Sequence, residues 1–195
     1  MGEIIVSHAF SAGPEVLWYP SLKAELEAEG HRVEIPGLPE PHAPSVDGWV
    51  KTVEQAAAEV DPGRTVLVGH SLGSVGLLRA LERHDTGGRG AFAGVVLVAS
   101  MSREVGYEAL APFFAGGFDW ARIRAAAGPV RVLVAADDPV LAPDVYAHVR
   151  EFTEQLGATA VVLPEGGHLP NWTPDAVPVV RVPQVAALVR ELLPA

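Results

Sequence analysis

Apolar residues in this chain gather in six short runs separated by longer stretches of mixed polarity. The runs are Ile4-Ile5-Val6, Val33-Glu34-Ile35, Val66-Leu67-Val68, Val95 to Val98, Val130 to Ala136 and Ala160 to Leu163. Most are continuous and rich in Val or Ile, which suits strands covered on both faces in a parallel sheet. Helical spacing fills the intervals. Val16 to Glu29 places Trp18, Leu22 and Leu26 at four-residue steps, and Val46 to Val60 carries Val46, Val50, Val53, Ala57 and Val60. The second of these has Ser45 as its N-cap and Asp61-Pro62-Gly63 as its stop. Ser71 to Arg83 repeats Leu72, Val75, Leu78 and Leu81, and Pro143 to Leu156 and Pro183 to Leu193 complete the set. Such alternation predicts an α/β fold with a mainly parallel six-stranded sheet and helices on both faces.

Two segments break the rhythm. Pro36 to Pro44 has four prolines in nine residues and is predicted to be an extended loop. Met101 to Gly128 joins two strands, is long for a crossover and contains Phe113, Phe114, Phe118 and Trp120. It reads either as a lid or pocket wall, or as a crossover helix whose aromatics pack on the sheet. No internal repeat or linker divides the chain, so residues 1–195 are expected to form one domain.

Charge and composition narrow the function classes. The net charge is −10, with lysine only at Lys23 and Lys51 and twelve scattered arginines. That balance argues against nucleic acid, whose backbone requires a basic stripe, and mildly favours neutral or cationic ligands. Cysteine is absent, which excludes disulfides, thiolate metal sites and a cysteine nucleophile. Neither a secretory leader pattern nor a run of membrane-spanning length is visible, so a soluble cytoplasmic protein with no membrane partner is expected.

Against this background one turn stands out. Gly69-His70-Ser71-Leu72-Gly73 fits the pattern G-x-S-x-G, with a predicted strand before it and a predicted helix after it. Such a turn lifts the serine hydroxyl above the sheet, and glycines two residues either side avoid collision with neighbouring elements. It also aims the first helical N–H groups at the reacting centre, which makes the Leu72 N–H an oxyanion donor. The plain alternative is a tight turn with an N-capping serine.

A serine nucleophile needs a base and a carboxylate, which in this architecture follow it at the ends of later strands. Asp137-Asp138 follows the fifth run and His168 follows the sixth, within Pro164-Glu165-Gly166-Gly167-His168. Of the seven histidines, only His168 comes after both serine and aspartate in a suitable loop. His8 ends the first strand and is expected to shape the site floor, while the His70 side chain should turn away from the hydroxyl. The second oxyanion donor is placed in the loop after the first strand, at the Phe10 N–H. Phe113, Phe114, Trp120 and Trp172 are candidates for the substrate pocket. Phosphate-loop, dinucleotide-binding and zinc-protease patterns are missing, so no cofactor and no metal are expected.

Trp18-Tyr19-Pro20-Ser21-Leu22-Lys23 and Pro36-Gly37-Leu38-Pro39-Glu40-Pro41 resemble the small serine hydrolases related to the retinoblastoma-binding serine hydrolase and its bacterial YdeN-like relatives. The Gly69 to Gly73 turn, the stretch Ala135 to Ala142 and Gly166 to Asn171 extend the resemblance from Val6 to about Trp172. The resemblance implies a compact α/β-hydrolase fold, Ser71 as nucleophile, His168 as base and, between the two aspartates, Asp138 as the carboxylate. It implies small esters, including amino-acid esters, or short amides as substrates. Ala9 departs from the family pattern where glycine often follows the strand-end histidine, and Ala142 stands where proline is usual. The cysteine-dependent retinoblastoma-binding motif is not present. The expected reaction is hydrolysis of a small ester, thioester or activated amide; a non-catalytic binding or regulatory protein on a hydrolase scaffold, and an acyltransferase, are the alternatives. The oligomeric state is left open.

Overall fold

The computed structural model describes residues 1–170 and 180–194. Six strands form one sheet: β1 (Glu3–Ser7), β2 (Arg32–Glu34), β3 (Thr65–His70), β4 (Gly94–Val98), β5 (Val130–Ala135) and β6 (Thr159–Leu163). Their order is β2-β1-β3-β4-β5-β6, and every neighbouring pair is parallel. The six predicted runs are these six strands. The chain therefore winds outward in one direction from β1 to β2 and in the other from β3 to β6. The reversal falls between β1 and β3, the place where open parallel sheets form a crevice at their carboxyl ends.

Among the described residues seven helices flank the sheet: α1 (Tyr19–Ala28), α2 (Val46–Ala58), α3 (Leu72–Arg83), α4 (Thr86–Arg89), α5 (Trp120–Ala127), α6 (Val145–Leu156) and α7 (Pro183–Leu192). Two apolar layers result. One joins α2, α3, α5 and α6 through Trp49, Val53, Val75, Leu78, Ile123 and Phe152. The other joins α1 and α7 through Trp18, Leu22, Leu26, Val185 and Val189. Alternate residues of β3 and β4 feed the two layers: Leu67, Val95 and Leu97 one, Val66, Val68, Val96 and Val98 the other. Burial on both faces explains why these strands read as continuous apolar runs.

Helix boundaries follow local chemistry. Ser45 Oγ accepts the Gly48 N–H and caps α2, and Asp144 Oδ1 accepts the Ala147 N–H and caps α6, two residues after the predicted start at Pro143. Helix α1 starts three residues later than its periodicity predicts, because Leu17 lies in the left-handed region at φ 59° and Pro20 occupies the first turn. The Met101–Gly128 segment holds a 3-10 turn over Glu108–Phe114 and then α5. No helix among the described residues is long and apolar enough to cross a membrane.

Candidate active site

Strand β3 turns into α3 at Ser71, whose backbone sits at φ 53°, ψ −125°. That conformation is strained for a residue with a Cβ, and it persists here because the surroundings hold it. The Ser71 N–H donates to the Val98 carbonyl at 2.9 Å, tying the turn to β4. Close packing fixes the flanking glycines: a Cβ at Gly69 would stand 2.4 Å from Ser74 Cα, and one at Gly73 would stand 2.3 Å from the carbonyl oxygens of Ser7 and His8. Both contacts are with backbone, which cannot rotate aside. The collision of these two positions with the helix and the adjacent strand is what the sequence pattern implied.

Three side chains from distant strand ends meet over this turn. Ser71 Oγ lies 2.7 Å from His168 Nε2, and His168 Nδ1 lies 2.8 and 3.0 Å from Asp138 Oδ2 and Oδ1. All three residues are buried, with 2 to 6% of their surface exposed. The hydrogen-bond partners assign the tautomer. Nδ1 faces a carboxylate and must carry the proton, so Nε2 is the acceptor and the Ser71 hydroxyl donates to it. Asp138 Oδ1 also accepts the N–H groups of Val140 and Leu141 at 2.8 and 3.2 Å, which fixes the carboxylate. Its neighbour Asp137 is used differently: its Oδ1 accepts the Gly167 N–H at 2.8 Å and pins the loop that carries His168.

A second buried chain of bonds supports the first. The Ala9 N–H donates to Tyr19 Oη at 2.9 Å, Tyr19 Oη lies 2.7 Å from His70 Nδ1, and His70 Nε2 lies 3.2 Å from the His168 carbonyl. A carbonyl only accepts, so Nε2 carries the proton and the Tyr19 hydroxyl donates to Nδ1. His70 thus turns away from the Ser71 hydroxyl and braces the backbone of His168. Burial, reinforced by the nearby His168, pushes the pKa of His70 down to about 3, so its ring is neutral. The same burial raises the Tyr19 hydroxyl, which stays protonated as the donor role requires. Trp18 Nε1 donates to the Leu169 carbonyl at 2.9 Å and holds the same loop from the other side.

His8 is buried at the end of β1. Its Nε2 accepts the Leu38 N–H at 3.0 Å and its Nδ1 donates to the Ala9 carbonyl at 3.0 Å, so it anchors the proline-rich loop to the strand end. Burial lowers its pKa. The remaining histidines lie away from the turn. His31 Nδ1 accepts the Gly2 N–H, His42 Nδ1 pairs with Ser11 Oγ, His84 Nε2 donates to the Gly90 carbonyl and His148 Nδ1 accepts the Ser102 N–H.

A cavity of about 250 Å³ opens beside Ser71 and His168, lined by the loop after β1, by Val16 and Leu17, and by Tyr107, Ala109, Leu110 and Val140. Phe10 lines it, and neither the Phe10 N–H nor the Leu72 N–H has a partner among the described residues. The other aromatic candidates lie elsewhere. Phe113 is fully buried against Trp49 at 5.6 Å, Phe114 sits beside Phe118 at 6.2 Å, and Trp120 packs on Phe152 at 6.1 Å. They belong to the apolar layer under α3, α5 and α6, because the 3-10 turn directs Tyr107, Ala109 and Leu110 to the cavity instead. Trp172 lies outside the described residues. Val16, Leu17, Tyr19 and Leu110 are site-forming residues that pattern analysis did not assign; the strained φ at Leu17 is visible only in the backbone.

The chain matches known proteins over most of its length. It is 27% identical over 167 residues to YdeN of Bacillus subtilis (strain 168), covering 85% of each chain. The crystal structure of that ydeN gene product superposes with a TM-score of 0.87 over 98% of both chains, at 25% identity. Est1E from Butyrivibrio proteoclasticus, whose structure with ferulic acid bound is solved, shares the fold alone: TM-score 0.71, 12% identity, covering 98% of this chain and 87% of that one. The family model described as serine hydrolase matches residues 4–173. With an α/β-hydrolase fold and a match across nearly the whole sheet, the chain belongs to the serine hydrolase family.

Proposed function

We propose that this hydrolase cleaves small carboxylic esters through a covalent acyl-enzyme, with Ser71 as nucleophile, His168 as general base and Asp138 as the group that orients His168. The observation that carries the reading is the unbroken line of hydrogen bonds, 2.7 Å from Ser71 Oγ to His168 Nε2 and 2.8 Å from His168 Nδ1 to Asp138. Ser71 Oγ attacks the ester carbonyl as His168 Nε2 takes its proton. The resulting imidazolium is stabilised by the Asp138 carboxylate and then protonates the departing alcohol. Water, deprotonated by the same nitrogen, releases the acid.

The negative charge on the tetrahedral intermediate falls to the N–H groups of Phe10 and Leu72, which have no partner among the described residues. Leu72 begins α3, so the positive end of the helix dipole adds to its effect. Each donor of this kind supplies about 3 kcal/mol of transition-state stabilisation. The test is p-nitrophenyl butyrate turnover by wild type and Ser71→Ala. The variant is expected to lose about 10⁶-fold in kcat while retaining its melting temperature. Undiminished turnover by a folded Ser71→Ala protein would refute the assignment, and an inert, folded wild type would favour a non-catalytic binding protein.

A further inference from the structure

The walls of the cavity beside Ser71 specify more than a reaction type. Apart from Ser71 and His168, the surfaces that face it are largely hydrocarbon: Phe10, Val16, Leu17, Leu110 and Val140, with Tyr107 at the mouth. No Asp, Glu, Lys or Arg among the described residues lines it. Of the three other polar lining residues, His70 is engaged with Tyr19 and the His168 carbonyl, Ser11 Oγ is engaged with His42 Nδ1 at 3.1 Å, and the third is the phenol of Tyr107. The space holds about 250 Å³. An apolar cavity of about 150 Å³ accepts benzene, so this one accommodates a larger hydrocarbon group of six to eight carbons, about one ring with a short tail.

The backbone reinforces this reading. Ser11 and Leu17 both line the cavity and both lie at positive φ, 56° and 59°, although neither is glycine. Residues held in such conformations cluster where a site needs a particular surface. At Leu17 the conformation coincides with an isobutyl group on the cavity wall.

Resting on the hydrolase reading above, we propose that the preferred substrate is an ester of an uncharged hydrocarbon acid of about six to eight carbons, and that the site selects against α-amino acyl esters. Two electrostatic effects compete. The net charge of −10 attracts cations, but that attraction is screened beyond about 8 Å in physiological salt. An ammonium next to the carbonyl would instead sit inside the cavity, stripped of water with no carboxylate among the described wall residues to replace it. Local desolvation outweighs the distant field. Each added methylene buries more apolar surface and is worth about fourfold in kcat/KM until the space is full.

The experiment compares p-nitrophenyl esters from acetyl to decanoyl, and sets hexanoyl against norleucyl, which differs only by the α-ammonium. Rates are expressed as acceleration over spontaneous hydrolysis, because the ammonium activates the ester chemically. The proposal expects kcat/KM to climb to a maximum at six to eight carbons and hexanoyl acceleration to exceed norleucyl by at least tenfold. Val16→Asp, a change at a half-exposed wall position, is expected to narrow that gap several-fold. A flat chain-length profile, or equal or greater acceleration of the norleucyl ester, overturns the proposal even if a fluorophosphonate labels Ser71. Absence of both turnover and labelling overturns the hydrolase reading and this proposal with it.

Discussion

Helix α3 has its N-cap, Ser71, in one cavity and its C-cap, His84, in another, of about 250 and 190 Å³, and its two ends use polar groups in opposite ways. At the far end Arg89, Asp85 and His84 are consumed by the fold. Arg89 donates to the carbonyls of Ala57 and Val60 at the end of α2, Asp85 Oδ1 accepts the Gly88 N–H, and His84 Nε2 donates to Gly90. At the Ser71 end the polar groups are aligned with one another, Ser71 and His168 face the cavity, and the Phe10 and Leu72 N–H groups have no partner among the described residues. Both regions are concave, and both contain a histidine. What separates a candidate site from a structural crease is whether its hydrogen-bonding capacity is already spent.

The sharpest way to break this contrast is to misdirect the base. Asp138→Asn keeps the shape and the contact with Nδ1 but favours the wrong tautomer of His168. We expect kcat for a p-nitrophenyl ester to fall about 10⁴-fold with the fold retained. A loss under tenfold would show that Asp138 does not orient the base.

Tyr19→Phe probes the supporting chain. It strips the Ala9 N–H and His70 Nδ1 of their buried partner, which costs about 1–3 kcal/mol of stability. It also frees the loop carrying the Phe10 N–H, so kcat should drop between about 10- and 100-fold with KM little changed. Thermal melting and steady-state kinetics on the same sample separate the two effects.

The sequence made the frame legible because each strand is sandwiched between apolar layers, so Val66 to Val68 and Val95 to Val98 carry side chains that must be hydrophobic in either direction. The meeting of Ser71 and His168 with one of the pair Asp137-Asp138 was legible because strand ends in a parallel sheet share one rim, which turns chain order into spatial order; the choice of Asp138 came from the family resemblance. Edge strand β2 stops at Glu34, short of the predicted Ile35, because it has a neighbour on one side alone. The cavity wall was least legible. Leu17 and Ser11 owe their placement to left-handed backbone that no periodicity encodes, and Phe113 and Trp120 satisfy a core pattern as well as a pocket pattern.

The protonation of His70 gives a smaller, graded effect. Its pKa is near 3 in the folded protein and near the ordinary value of 6.5 in the unfolded chain. Between those values the unfolded chain binds a proton that the folded protein does not. Stability from this group is therefore complete above about pH 6.5 and falls by up to about 1.4 kcal/mol per pH unit on acidification. His8 and His148, both lowered by burial, act in the same direction. His70→Gln, whose amide can still donate to the His168 carbonyl, should flatten the decline in melting temperature between pH 6.5 and 5. An unchanged slope would contradict a neutral, buried His70.

The smallest effect sharpens the comparison from the other end of α3. Arg89→Ala removes the bonds to the carbonyls of Ala57 and Val60 and should cost about 1 kcal/mol of stability, read as a lower melting temperature. Ester turnover should be unchanged, since nothing at that end faces the reacting centre.

The most direct test of the central claim, that His168 activates the Ser71 hydroxyl for attack, is peptide mass spectrometry after treatment with a fluorophosphonate. One adduct is expected, on Ser71, formed rapidly in the wild type and lost in a folded His168→Gln variant. A folded wild type that hydrolyses esters while Ser71 stays unmodified, or that carries its adduct on another residue, would contradict it.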